Sequence, residues 1–445
     1  MLLPTLSIVN PSLCNQAQPA RYADGGMSIT RPPWQPRTLL DSPHRLCFIW
    51  AGVQWLAGAM WWLWQMAGGA VAAAVPVASV HALWFGLGVM PLFIVGFVLT
   101  AGPKWLRAPA VAAAGLRAGV AAFSLGWLLT ALGAGIDARL AAAGQLAAAA
   151  GLGLLVRRAW QLLHAATRRD ARHARVIVAS LALTALGLAA SGAAMLAGHA
   201  VALSALARGM LWWGPVAAFV AASHRMLPFL GDGLWPWLDR RLPDWPLWAL
   251  LSVPAAQGAM ALAQGLVSVP APLAALGAVH LGLVALVSAA LLGRWFGAPA
   301  LRSPLVRMLH LAALWWPLAL LLLAVGQWPW ATAARAPGWQ MAGLHALAIG
   351  YLAGTWLVMV TRVIATHQGQ ARAIGRVEVA LFGLLQAGAV VRVLAALWPV
   401  AGGWLLPLAA LTWSVVALLW WPHNALRLGQ APTLRVRPPL DEDQA

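Results

Sequence analysis

The chain alternates between long apolar runs and short polar connections over almost its whole length. Each run reaches about 20 residues, which is the length that an α-helix needs to cross the core of a bilayer. We therefore predict an all-α, polytopic bundle of twelve membrane-spanning helices. Their expected positions are 45–67, 79–102, 110–134, 139–163, 174–197, 201–223, 245–268, 270–293, 305–325, 340–363, 374–398 and 401–421.

Composition supports a membrane protein and excludes a soluble one. Of the 445 residues, 62% are hydrophobic and 9% are charged, whereas soluble domains carry about 25% charged residues. The formal net charge is +18, and most of the 29 basic residues fall in alternate connections. Because positively charged loops stay in the cytoplasm, this pattern predicts that both termini are cytoplasmic. The net positive charge therefore does not indicate nucleic-acid binding, and the lipid bilayer is the expected environment.

Two tails flank the predicted spans. Residues 1–43 are expected to be a disordered cytoplasmic tail, in which Met27 is a candidate for the true start. The first 26 residues lack the charged-then-apolar order of a cleavable signal peptide. The transmembrane domain is expected over 44–424 and a cytoplasmic carboxy-terminal tail over 425–445.

Histidines recur near and inside the predicted spans, where carboxylates are nearly absent. An ionisable side chain within a bilayer is costly, so each is a candidate functional residue. Four histidines at cytoplasmic edges beside arginines are expected to be solvated, namely His44, His164, His173 and His423. The other seven sort by depth: His81, His199 and His345 near the outer side, His280 in the middle of helix 8, and His224, His310 and His367 near the cytoplasmic side.

Helix 10 carries a histidine near each face of the membrane. His345 and His367 would stand roughly 33 Å apart along a helix, so they belong to two different layers. No helix offers two histidines one turn apart, and any ligands must therefore come from different helices, as when a bundle clamps a haem between two imidazoles. From spacing alone, a bound metal or haem and structural histidines satisfied by backbone carbonyls both stay open.

Small residues recur at a spacing of four along the same helix. Ala342, Ala346, Gly350 and Gly354 form a stripe that predicts the close approach of a neighbouring helix.

Three stretches together resemble the NnrS family of bacterial twelve-span membrane proteins. They are "HALWFGLGVMPLFIVGFVLTAGPKWLRAP" at 81–109, "SHRMLPFL" at 223–230 and "HALAIGYLAGTWLVMVTRVIATHQGQAR" at 345–372. The resemblance implies a protein of the bacterial inner membrane that binds haem, with copper as a second candidate cofactor. It also implies protection against nitric oxide and nitrosative stress during denitrification, with no established catalytic activity.

Two site hypotheses follow. In the first, His81 and His345 are the axial ligands of a b-type haem in the outer half of the membrane. In the second, a copper or second haem site lies on the cytoplasmic side, since neutral imidazole suits copper and iron alike. Its expected ligands are His224 and His367, with His310 as an additional one, and Arg225 and Arg362 would pair with haem propionates.

Two other functions remain as alternatives, a twelve-span transporter of a small solute and a cytochrome b-like electron carrier. The scarcity of buried carboxylates argues against an ion-coupled transporter. The chain also lacks the adjacent histidine pair and the His-x-His on helix 10 that a haem–copper oxidase requires. Reduction of oxygen or nitric oxide at a binuclear centre is therefore not expected.

Overall fold

The computed structural model describes residues 33–69, 73–168, 170–230, 244–296, 300–329, 335–368 and 374–431. These residues contain twelve helices that are long and apolar enough to cross a membrane, as predicted. We number them α1 to α12: Pro43–Met66, Val77–Leu106, Ala113–Ile136, Ala138–His164, Arg172–Leu196, Ala200–Pro228, Asp244–Ala263, Ala271–Trp295, Pro304–Gln327, Ala336–His367, Arg376–Leu397 and Pro399–Leu428. Short 3₁₀ helices, Pro36–Leu40 and Ala300–Arg302, precede α1 and α9.

The fold class is confirmed, because the described residues form helices and no β-strand. Most helix boundaries fall within a few residues of the predicted ones. The largest extensions are in α6, which continues to Pro228 instead of ending near 223, and in α12, which continues to Leu428 instead of ending near 421.

Part of the expected amino-terminal tail is ordered, in contrast to the prediction. The indole of Trp34 donates to the carbonyl of Ala425 at 3.2 Å. The guanidinium of Arg45 donates to the carbonyl of Leu428 at 2.6 Å. These contacts hold the chain before α1 and the first turn of α1 against the end of α12, and Arg45 supplies a partner for the carbonyl of Leu428 in the last turn. The expected tail segments 1–32 and 432–445 lie outside the described residues.

We refer to the end of the bundle where α1 begins and α12 ends as the proximal end, and to the opposite end as the distal end. Odd-numbered helices run from proximal to distal, and even-numbered helices run back. His81 and His345 lie near the starts of α2 and α10 and are therefore distal. His224 and His367 lie near the ends of α6 and α10 and are proximal.

Three helices form the interior of the bundle. In α2, α6 and α10, 83%, 67% and 72% of the most apolar stretch is buried, compared with 39–56% in the other nine spans. Helix α2 contacts both α6 and α10. Every fourth helix, beginning with the second, is thus internal. No repeat is evident in the sequence, so this regularity emerges from the packing.

Each internal helix contains a π-helical segment: Trp84–Val89 in α2, Trp212–Val216 in α6 and Ala346–Ala353 in α10. Segments of this kind interrupt the regular hydrogen-bond ladder and are frequent at functional sites. The segment in α10 begins directly after His345, and the segment in α2 begins three residues after His81. The two distal histidines therefore stand next to local changes in helix geometry.

The small-residue stripe on α10 is packed against α9, as its spacing predicted. Ala342 and Ala346 are fully buried. A Cβ atom at Gly350 would collide with the indole of Trp315 on α9, and one at Gly354 would meet the Ala312 side chain at 3.0 Å. The absence of side chains at these glycines allows the two helices to approach closely.

Candidate functional site

His81 lies in the first turns of α2 among aromatic side chains. Its ring packs on the indole of Trp62 from α1, with centroids 3.9 Å apart and planes tilted by 34°. Phe85, one turn further along α2, lies 4.9 Å from the imidazole centroid. The Nδ1 atom of His81 is shielded from solvent and has no hydrogen-bond partner among the described residues. A buried polar atom without a partner is rare and needs an explanation.

His345 is held by its own helix. Its Nδ1 atom lies 2.8 Å from the carbonyl oxygen of Met341, so Nδ1 carries the proton and donates it. This assigned tautomer leaves the lone pair on Nε2, which is the nitrogen that a metal or haem iron would take. The hydrogen bond also fixes the orientation of the ring.

The two distal histidines share one electrostatic environment. Each interacts with the guanidinium of Arg392 from α11, and His345 interacts with His81 as well. The Nη1 atom of Arg392 is shielded from solvent and has no partner within the described part of the chain. Two imidazoles and an unpaired cation from three helices therefore converge at the distal end. An unpaired cation in a membrane span is costly and marks a functional candidate.

In the part of the chain that the structure describes, two further buried polar atoms without partners lie on α1 and α12. The indole nitrogen of Trp413 from α12 is buried without a hydrogen-bond partner among the described residues, and so is Oε1 of Gln65 from α1. Trp413 packs edge-on against Phe85 with centroids 5.7 Å apart. Gln65 follows Trp62 by one turn of α1. The polar groups that the described contacts bring to the distal site are therefore imidazole, guanidinium and indole groups in an aromatic surrounding.

Sequence reasoning found the two histidines of this distal site but gave no role to its other members. The sequence could have identified Arg392 as a candidate functional residue, because it is an arginine inside a predicted span. Trp62 and Trp413 carried no such signal, because the chain has 28 tryptophans and nothing in the sequence distinguishes these two from the others.

The proximal histidines form two pairs. His224 Nδ1 lies 3.0 Å from His173 Nε2, and the two rings are nearly parallel. The ring of His367 lies 4.2 Å from that of His44, centroid to centroid. His173 and His44 are 7% and 1% exposed, which corrects the expectation that both are solvated loop residues. They were misassigned because a position at a span end does not reveal which neighbouring helix covers it.

The three histidines expected in a proximal metal site lie in different surroundings. His224 pairs with His173, His367 pairs with His44, and His310 packs against Phe296 with its Nδ1 atom unpaired in the described structure. Within the described ranges, no three histidine, cysteine, aspartate or glutamate side chains are grouped as a metal site. The structure thus does not bring the expected ligands of the second hypothesis together.

The two arginines expected beside a haem are also proximal. Arg225 lies over the indole of Trp105 at 4.9 Å from the ring centroid, a cation–π contact. Arg362 is half-buried near the end of α10. It follows His345 by about 25 Å of helix. Neither arginine lies at the depth of the distal histidines, where Arg392 is the nearby cation.

The family model described as NnrS protein matches residues 38–430. No curated protein matches the chain. The matched range includes all twelve helices and both distal histidines. This multi-pass helical membrane chain therefore belongs to the NnrS protein family.

Proposed function

We propose that the distal site binds a b-type haem, with His81 and His345 as the axial ligands. The supporting observation is the convergence of two imidazoles and the unpaired guanidinium of Arg392 from three helices. His345 presents Nε2 because Met341 holds its Nδ1, and Nδ1 of His81 has no hydrogen-bond partner within the described residues. A haem held by two imidazoles supplies one-electron redox chemistry at its iron.

The remaining members of the site suit the same ligand. Arg392 offers a charge and hydrogen-bond donors for a propionate. Trp62, Phe85 and Trp413 offer flat apolar faces for a porphyrin. A haem would thus account for polar atoms that are otherwise buried without partners, each of which costs about 1–3 kcal/mol.

The proposed cellular role is protection of a bacterium against nitric oxide and nitrosative stress, with the protein in the inner membrane and the proximal end in the cytoplasm. Family membership and the basic residues of the proximal connections support this role. Copper has less support, because no group of three metal-ligating side chains is present in the described ranges. Elemental analysis of the purified protein tests for copper directly.

Optical spectroscopy tests the haem proposal. The purified protein should show a Soret band and, after reduction, the α-band of a six-coordinate b-type haem. His81→Ala and His345→Ala should each lose most of this haem. His199→Ala is the matched control, since His199 is an exposed histidine at the same end of the bundle. Full haem retention in both distal variants would rule out the pairing, and a colourless protein after incubation with haemin would favour the transporter alternative.

A complementation assay tests the cellular role. A strain lacking the gene should grow more slowly than its parent in the presence of a nitric oxide donor. The wild-type gene and the His199→Ala variant should restore growth, whereas His81→Ala and His345→Ala should not. Equal growth of the deletion strain and its parent would contradict the proposed role without bearing on haem binding.

A further inference from the structure

The pair of His173 and His224 lies at the proximal end, apart from the distal site. His173 is in the first turn of α5, and His224 is near the end of α6. The two ring nitrogens are 3.0 Å apart, and the ring planes differ by 17°. In a hydrogen bond between two imidazoles, one ring must donate and the other must accept. One proton is therefore shared between two helices.

The second nitrogen of His224 faces the interior. His224 Nε2 is buried and has no hydrogen-bond partner among the described residues. The side chain lines a cavity of about 30 Å³ together with Ser223 and Tyr351. A cavity needs about 10–15 Å³ of such space, which is the space open to the centre of a water-sized sphere, to hold one water molecule. The volume therefore accommodates one water molecule, for which the unpaired Nε2 of His224 offers a hydrogen-bonding partner.

The cavity leads to a hydroxyl pair on the internal helices. The hydroxyl of Tyr351 donates to Oγ of Ser223 at 2.9 Å. Tyr351 belongs to the π-helical segment of α10, and its side chain is 3% exposed. Polar groups at this depth are costly unless they are used or fully paired. The two hydroxyl groups thus extend the series of polar side chains that begins with His173 and His224.

At the proximal surface, His173 lies among charged side chains. Asp170 lies just before α5, where a hydrogen bond from the Arg172 side chain lowers the pKa of its carboxyl to about 2. His173 interacts electrostatically with Asp170, Arg172 and Arg225. Arg172 also forms an ion pair with Asp244 at the start of α7. The entrance therefore combines a permanent carboxylate with fixed positive charges.

We propose that His173, His224, Ser223 and Tyr351 form a proton path from the proximal surface to the interior of the bundle. A proton that binds Nδ1 of His173 allows His173 to release its Nε2 proton to Nδ1 of His224. His224 then releases its own Nε2 proton to a water in the cavity. The water passes a proton to the hydroxyl pair and takes one of the pair's own hydroxyl protons in exchange, and the excess proton leaves by the reverse transfer through His224 and His173. One proton enters for each proton that leaves, so no charge accumulates on the two rings. Rotation of the rings or the reverse transfer restores the starting tautomers.

Hydrogen–deuterium exchange at the Tyr351 hydroxyl tests this path and requires no bound haem. The chain has 2 tyrosines, so in a Tyr22→Phe background a ring-¹³C label reports on Tyr351 alone. After transfer of the purified protein to D₂O at neutral pD, rapid-scan infrared spectroscopy follows the phenol C–O–H bending bands. In the parent protein, exchange should be complete within the mixing time. His224→Phe and His173→Phe should each slow it by about tenfold or more, because they interrupt the relay.

His280→Phe is the matched control. His280 is also a membrane-embedded histidine, and its Nε2 lies 2.8 Å from Oγ of Ser252, outside the proposed path. This variant should exchange Tyr351 at the parental rate. If His224→Phe does not yield folded protein by circular dichroism, His224→Gln replaces it, and His173→Phe interrupts the path independently. A parental exchange rate in the variants at either 173 or 224, or slow exchange in the parent itself, would overturn the proposal.

Discussion

The imidazole of His367 at the end of α10 packs against the imidazole of His44 at the start of α1, with ring centroids 4.2 Å apart and planes tilted by 42°. His367 also uses Nδ1 to bond the carbonyl of Val363 at 2.9 Å, and Nδ1 of His44 lies 3.0 Å from Oγ of Ser42. The histidines at the two ends of α10 thus have different surroundings. His345 belongs to the distal site, whereas His367 connects two helices at the proximal end.

Removal of this ring contact should reduce stability without affecting binding of the proposed haem. His367→Ala is expected to destabilise the protein by about 1 kcal/mol, the size of a typical aromatic pair contact. Thermal unfolding followed by tryptophan fluorescence measures this change, and the Soret absorbance should stay at its wild-type value. A variant that keeps its stability but loses haem would instead identify His367 as a ligand.

Arg392 should tune the distal site through its charge. Arg392→Gln removes a cation that interacts with both distal histidines. In the proposed haem the oxidised form would carry the extra positive charge, so loss of the cation should favour that form and make the reduction potential more negative. A shift of about 60 mV corresponds to about 1.4 kcal/mol for one electron. Redox titration of the purified protein gives the value.

Arg362→Gln provides the comparison for Arg392. It removes the same charge from the proximal end of α10, far along the helix from His345. The potential should therefore stay unchanged. An equal shift in both variants would show that net charge, and not the position of Arg392, sets the potential.

Glu378 should stabilise the packing of the start of α11 against the end of α12. Its carboxylate is 2% exposed and accepts hydrogen bonds from Arg427 Nη1 at 2.8 Å and from His423 Nε2 at 3.1 Å. Loss of one partner of a buried pair costs about 3–5 kcal/mol. Because Arg427 and His423 are partly exposed, we expect about 2 kcal/mol for Glu378→Ala. Glu378→Gln keeps an acceptor oxygen and should lower the melting temperature less; equal losses would contradict the role of the hydrogen bonds.

Gly350 should be intolerant of a side chain. In Gly350→Ala the added Cβ would collide with the indole of Trp315, so α9 and α10 would have to separate. Such overpacking costs about 1–3 kcal/mol. Gly383→Ala in α11 is the matched control, because a Cβ at Gly383 meets no atom within 4 Å. Its melting temperature should equal or exceed that of the wild type, and an equal decrease in both variants would exclude the packing explanation.

Cysteine labelling should establish the orientation of the bundle. After replacement of Cys14 and Cys47, Arg139→Cys would place a single thiol on the exposed distal turn and Ala110→Cys would place one on the proximal connection. A membrane-impermeant maleimide should label the distal thiol in spheroplasts and the proximal thiol only after lysis. The reverse pattern would contradict the orientation that the arginine distribution predicts.

The amino-acid sequence by itself determined the twelve helices, their alternating direction and the depth of each histidine. These properties depend on the length and hydropathy of single segments, and each segment satisfies its own backbone hydrogen bonds in a bilayer. The small residues of α10 likewise predicted the close approach of a neighbouring helix, which the structure identifies as α9. The sequence also indicated that the histidines at 345 and 367 belong to different layers, because helical rise converts their spacing directly into a distance.

Only the tertiary structure decided which side chains meet. It made α2, α6 and α10 internal, paired His44 with His367 and His173 with His224, and added Arg392 to the distal histidines. Lipid tails are as apolar as the helix surfaces, so hydrophobicity does not select the partners of a membrane helix. Shape and a few polar contacts between distant segments select them, and neither is visible in a single segment of sequence.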